Sequence, residues 1–170
     1  MKGKWAAGIP PRNFTWIIRD RLAISERPGG FAPNHRRVRR QEEIIWLRGQ
    51  GFNRVVSLLT SHHNLYAYDE EDLDYAHFPL APNIDARPAL ADCYRDLDRS
   101  LRDGLRILVH QEGLGDRVMG VAAGFLVWSG RLASSAQAIN LVERLVGHPM
   151  GSAGRELVVT SARLPPRQPV

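Results

Sequence analysis

The apolar residues of this chain fall into short runs and periodic stripes, separated by polar stretches that carry Gly and Pro. Residues 106–110 form a short apolar run that stops abruptly, as a buried strand does. Gly113 and Gly115 then mark a loop. Residues 118–128 are apolar nearly all round, as a helix packed on several sides would be. Residues 53–59 are rich in Val and read as a strand buried in a parallel sheet, and residues 75–80 read as another, ended near Pro79. Over residues 14–25, two β-prone pieces flank Arg19, Asp20 and Arg21, which predicts a hairpin. Helical spacing appears over residues 41–50, which would bury Ile44, Ile45 and Leu47 and stop near Gly49 and Gly51. It recurs over residues 89–103, where Leu90, Cys93 or Tyr94, Leu97 and Leu101 share a stripe. A further helix starts at Ser134 and Ser135, buries Ala138, Leu141, Val142 and Leu145, and ends at residues 148–151. Residues 154–164 make a last short helix, and the polar residues 60–74 read as a solvated loop.

This alternation predicts a single α/β domain over residues 14–164, with a loose arm at 1–13 and a tail at 165–170. The expected core is a central twisted, mainly parallel sheet of about four or five strands flanked by helices on both faces. The strand at 106–110 should be central, because its apolar run is continuous.

Composition narrows the function classes. A chain of 170 residues is long enough for one full hydrophobic core, and 44% apolar with 24% charged residues is ordinary for a globular protein. No apolar run approaches the roughly 20 residues needed to cross a bilayer. The first residues lack an apolar signal core, so secretion is not expected and a cytoplasmic location is. One cysteine excludes a disulfide framework and any multi-cysteine metal site. The net charge of +5 rests on arginine, since Lys2 and Lys4 are the only lysines. Arginines and acids interleave over most of the chain, so the charge by itself names no partner. The one concentrated basic run, residues 35–40, lacks the aromatic platforms or reading motif of a nucleic-acid binder and reads as a solvated helix start. His62 and His63 stand near Asp69, Glu70, Glu71 and Asp72, but adjacent ligands on a loop without a fixed third ligand do not make a metal site. No cofactor or metal is expected, and the oligomeric state is open.

The chemistry concentrates between the strand at 106–110 and the helix that follows. A strand, a Gly-bearing loop and a helix N-terminus form an anion cradle, with N–H groups and the helix dipole favouring negative charge. Arg117 enters at the helix start and can fork onto two oxygens of a phosphate, sulfate or carboxylate.

This stretch resembles the phosphate-binding loop of the cysteine-dependent protein tyrosine and dual-specificity phosphatases, whose pattern is His-Cys, five residues, Arg, then Ser or Thr. His110 and Arg117 stand at matching positions, whereas Gln111 stands where the family has its nucleophilic Cys. Leu114 replaces the family's Gly three places after that Cys, and Val118 replaces its Ser or Thr. The opening hairpin, the turn at Arg27, Pro28, Gly29 and Gly30, and the helices after the loop also resemble small atypical dual-specificity phosphatases, over roughly residues 14–163. The resemblance implies that an Asp protonates the leaving oxygen. Asp85, followed by Pro88, fits that role loosely and reads equally well as a turn residue before a helix. Glu112 and Asp116 hold neighbouring loops in that picture; pointed inward, they would repel phosphate.

A Gln carboxamide cannot form the phospho-enzyme that a thiolate forms, and without the hydroxyl lost at Val118 a thiolate would leave poorly. Cys93, on a helical stripe, reads as a core residue and not as a relocated nucleophile. Two function classes follow from the resemblance. One is a pseudophosphatase that binds an anionic small molecule or phosphorylated ligand through His110, Gln111, Glu112, Gly113, Leu114, Gly115, Asp116 and Arg117. The other is a phosphatase-fold enzyme rebuilt as a biosynthetic cyclase, isomerase or dehydratase, with Asp85, Gln111 and Glu112 as its catalytic residues. Neither a nucleic acid nor a membrane is an expected partner.

Overall fold

The computed structural model describes residues 7–30 and 37–169. The elements run β1 (Thr15–Ile18), β2 (Leu22–Glu26), α1 (Arg37–Gly49), β3 (Arg54–Ser57), α2 (Tyr66–Glu70), β4 (Asp74–His77), α3 (Arg87–Arg102), β5 (Ile107–Gln111), α4 (Asp116–Trp128), α5 (Ser135–Val146) and α6 (Ser152–Ala162). They form one five-stranded sheet of order β1-β2-β5-β3-β4. The β1–β2 pair is antiparallel and every other pair is parallel, so the expected mainly parallel sheet with β5 at its centre is found. The hairpin turns where Asp20 takes φ 61° and the Arg21 amide donates to the Ile18 carbonyl at 3.0 Å.

Alternation along the strands builds two cores. Leu22, Ile24, Ile107 and Val109 face the layer of α3, α4, α5 and α6. Ala23, Val55 and Leu108 face α1 and α2. The helix expected to be apolar all round, α4, is buried at every position from Val118 to Leu126. It carries α6 at unusually close range. A methyl group on Gly120 would lie 2.6 Å from the Gly154 carbonyl oxygen, and one on Gly124 would lie closer still to the Ser161 hydroxyl oxygen.

Several expectations need correction. The segment 60–74 is not simply a solvated loop: it holds α2 and buries Leu65, Ala67, Tyr68 and Leu73. The helix expected over 41–50 starts at Arg37, and Ile45 is only half-buried. His35 and Arg36 of the basic run lie outside the described residues. Within it, Arg37 is exposed, while Arg40 is buried and Arg39 pairs with the buried Glu43 at 3.0 Å, so the run is not a solvated helix start. Of the arm at 1–13, residues 1–6 lie outside the described residues. The rest is tied down: Ile9 donates to the Glu42 carbonyl at 3.3 Å, and Arg12 accepts from the Glu26 amide at 3.0 Å. The tail is held by Trp128 Nε1, which donates to the Pro165 carbonyl at 2.9 Å, and by Arg167 on Asp98. Helix α5 is capped by the Ser134 hydroxyl and ends earlier than expected, at Gly147 with φ 91°.

Candidate functional site

The parallel strands β2, β5, β3 and β4 end on one edge of the sheet, where open α/β folds place their ligands. The residues singled out from the sequence lie at that edge: Asp85 in the connection before α3, His110 and Gln111 at the end of β5, residues 112–115 in the loop, and Asp116 and Arg117 at the start of α4.

His110 is fully buried beneath the loop. It stands in register with Ser25 on one side and Ser57 on the other. Its Nε2 lies 3.1 Å from the Tyr68 hydroxyl, and its Nδ1 lies 3.4 Å from the Gln111 carbonyl. Burial pushes its pKa down from 6.5 to about 3, with Arg27 and His77 adding to the effect, so the ring is neutral. A neutral ring that donates from Nδ1 leaves Nε2 to accept the tyrosine proton. His110 thus holds the strand end from which the loop departs.

Gln111 is half-buried and stands in register with Glu26 of β2, which is only 6% exposed. Glu112 is exposed and turns to Arg27, whose Nη1 lies 3.4 Å from Oε1 and 3.5 Å from Oε2. Arg27 is otherwise buried: its Nη2 donates to the His63 carbonyl at 2.9 Å and its amide to the Glu112 carbonyl at 3.2 Å. The turn after Arg27 is anchored in its own right, because the Gly29 amide donates to the buried Glu43. Burial raises the Glu43 carboxyl above its usual range.

The other loop acid, Asp116, accepts from the Gly151 amide at 2.9 Å. Both acids thus hold neighbouring segments. Leu114 is half-buried and packs against the α3–α6 core. Space around Gly113 and Gly115 is open, since a methyl group on either would meet nothing within 4 Å. Among the described residues, the amides of residues 113–118 find no hydrogen-bond acceptor. Val118 is buried.

Arg117 is half-buried, and its Nη1 donates to the Leu80 carbonyl at 2.9 Å. It has no acidic partner among the described residues. It lines an open cleft of about 460 Å³ between the segment Leu80 to Arg87 and α6. Asp85 lines the same cleft. Its carboxylate accepts the Arg87 amide at 3.0 Å and Arg87 Nη2 at 2.8 Å. These hydrogen bonds hold its pKa below the usual carboxylate range, so it is ionised at neutral pH and is a poor proton donor. Gln111 and Glu112 do not line this cleft.

Cys93 is buried in α3, and burial raises its thiol far above the range of a reactive thiolate. Sequence reasoning missed Arg27 and Tyr68, the two side chains that brace the loop and its supporting strand. For Tyr68 a signal existed in the apolar positions scattered through the acidic segment 65–73.

The chain matches no protein-family model and no curated protein. Among solved structures it is similar to a kinase associated phosphatase with serine substituted for its catalytic site cysteine. The two share 22% identity over 87% of this chain and 92% of that one, with a TM-score of 0.72. Human DUSP28 shares 15% identity over 91% and 95% of the two chains, with a TM-score of 0.68. The core catalytic domain of the PP-IP phosphatase SIW14 from S. cerevisiae, in complex with citrate, shares 14% over 89% and 86%, with a TM-score of 0.65. The fold is that of the dual-specificity and protein tyrosine phosphatases.

Proposed function

We propose that this chain is a pseudophosphatase: a binding module on a phosphatase scaffold that holds an oxyanion in the loop of residues 112–117 and does not hydrolyse phosphate esters. The observation that carries this reading is Arg117, a half-buried guanidinium at the start of α4 that faces a neutral carbonyl and no acid among the described residues. The unpartnered amides of residues 113–118 add donors beside it. Glu112 is engaged by Arg27 and Asp116 by the Gly151 amide, so both loop carboxylates are occupied with neighbouring segments. The citrate in the SIW14 complex is an anion of the kind this loop would take.

The inactive half of the reading rests on Gln111, which ends the central strand where the resembling family places its thiolate. The only cysteine of the chain lies in the core of α3. A carboxamide has no nucleophile fit to form a phospho-enzyme. Titrating the protein with phosphate, sulfate or tungstate by calorimetry tests the binding. Charge-assisted hydrogen bonds are worth roughly 1.5–3 kcal/mol, so Arg117→Ala should weaken binding about tenfold or more. Aryl phosphate turnover should be at background; turnover abolished by Arg117→Ala would overturn the inactive reading.

A second reading takes its support from the cleft that Asp85 shares with Arg117. There the scaffold is an enzyme rebuilt for cyclase, isomerase or dehydratase chemistry, and an ionised Asp85 serves as a base. Mass spectrometry of a bound ligand separates the two: a binding module returns it unchanged, and an enzyme does not.

A further inference from the structure

The cleft beside Arg117 is much larger than the anion it would hold. Its volume of about 460 Å³ lies in the range of small-molecule sites and far exceeds what a bare phosphate fills. Its walls mix polar and apolar side chains; beside Asn83 and Thr160, an apolar strip is formed by Ala81, Pro82 and Ile84 on one side and by Ala153 and Leu157 of α6 on the other. Ile84 is 69% exposed, the most exposed of the large apolar side chains among the described residues. A second hollow, of about 240 Å³ and lined by Thr60, Pro79 and Ala89, lies along the same segment and again includes Ile84. The charges in the main cleft are unevenly satisfied. Asp85 and Arg87 neutralise each other, and Glu156 is exposed, where water screens it. Arg117 is left as the half-buried cation without an acid.

From this arrangement we infer that the ligand of the site is an amphipathic oxyanion, a phosphate or carboxylate head on Arg117 with an apolar body lying between Ile84 and Leu157. The inference rests on the anion-binding reading and adds the class of molecule. Phosphate-headed and carboxylate-headed compounds share the chemistry that the cleft selects, so the head group is left to the experiment.

The test measures the affinities of inorganic phosphate, hexyl phosphate, acetate, hexanoate and hexanol for the full chain by calorimetry. Each methylene fully buried is worth about fourfold in affinity, so partial burial of a hexyl body should tighten binding at least about tenfold over the matching bare head group. Whichever pair shows that gain, phosphate or carboxylate, names the head. Ile84→Asn, which adds no charge to the cleft, should abolish the gain while leaving inorganic phosphate affinity unchanged. Because Ile84 is exposed, this variant keeps the fold, which a thermal melt checks. Arg117→Ala should weaken head and amphiphile alike. Equal affinity for bare heads and hexyl compounds, an undiminished gain in Ile84→Asn, or hexanol binding as tightly as the anions would each overturn the inference. If neither phosphate nor any other anion binds the native chain, the anion-binding reading itself fails.

Discussion

The Tyr68 hydroxyl lies 3.1 Å from Nε2 of His110, and both side chains are buried on the α1–α2 side of the sheet. This contact satisfies the ring that supports the loop. Tyr68→Phe leaves Nε2 buried without a partner, and an unsatisfied buried polar group costs about 1–3 kcal/mol. Urea denaturation of the variant should show a loss of that size.

The same ring gives a pH signature. His110 has its folded pKa lowered to about 3 from 6.5, so the unfolded chain takes up a proton that the native chain refuses. Its contribution to stability is complete above pH 6.5 and is lost as pH falls from there toward 3. The slope from this one group approaches about 1.4 kcal/mol per pH unit. NMR should find the His110 imidazole neutral at pH 5. A protonated His110 at that pH would contradict the buried, neutral assignment.

Gly120→Ala should destabilise the protein by about 1–3 kcal/mol through overpacking, even though alanine favours helix by about 1 kcal/mol. The added methyl meets Gly154 backbone atoms at 2.6 and 2.9 Å, and backbone cannot step aside as a side chain can. Gly49→Ala is the control. It ends α1 with nothing within 4 Å of the new methyl, and its melting temperature should hold or rise.

The ion pair between Arg27 and Glu112 is long, and the Glu112 side chain is 56% exposed. A double-mutant cycle with Arg27→Met and Glu112→Gln should therefore give a coupling below about 1 kcal/mol. Its role is geometric: Glu112→Gln should leave stability almost unchanged and loosen the loop.

Asp85→Asn removes an ionised carboxylate from the cleft of Arg117 and frees Arg87. Anion affinity measured by calorimetry should rise, by roughly threefold at low salt and less at high salt. A fall in affinity would mean that Asp85 itself engages the ligand.

The strand, loop and helix around residues 107–128 were legible in the sequence because their signal is local: a continuous apolar run, two glycines, then a helix with no polar face. The hairpin and the stripe on α3 were legible for the same reason. What escaped depends on partners distant in sequence. Arg27 reads as one residue of a Pro-Gly turn, yet it is buried because β5 and the segment after β3 close around it. Arg39 and Arg40 read as solvated charge although Glu43 is one helical turn from Arg39, because the burial of that face of α1 comes from segments distant in sequence. Helix α2 spans only five residues, and Asp69 and Glu70 interrupt its apolar face, so no period could establish itself. The restraint on Asp85 was within reach, since its partner Arg87 is two residues away.

The alternation that builds two cores also divides the foundations of the loop. His110 is braced from α2 on one side of the sheet, while Leu114 and Asp116, beyond Gln111, are braced from the α4–α6 side. The loop is thus a rivet through the sheet, fastened to both layers. A ligand that stiffens it would slow amide hydrogen exchange in α2 as well as in α4, although those two helices lie on opposite sides of the strands. The protein would register occupancy of one edge as a change in the breathing of both its layers.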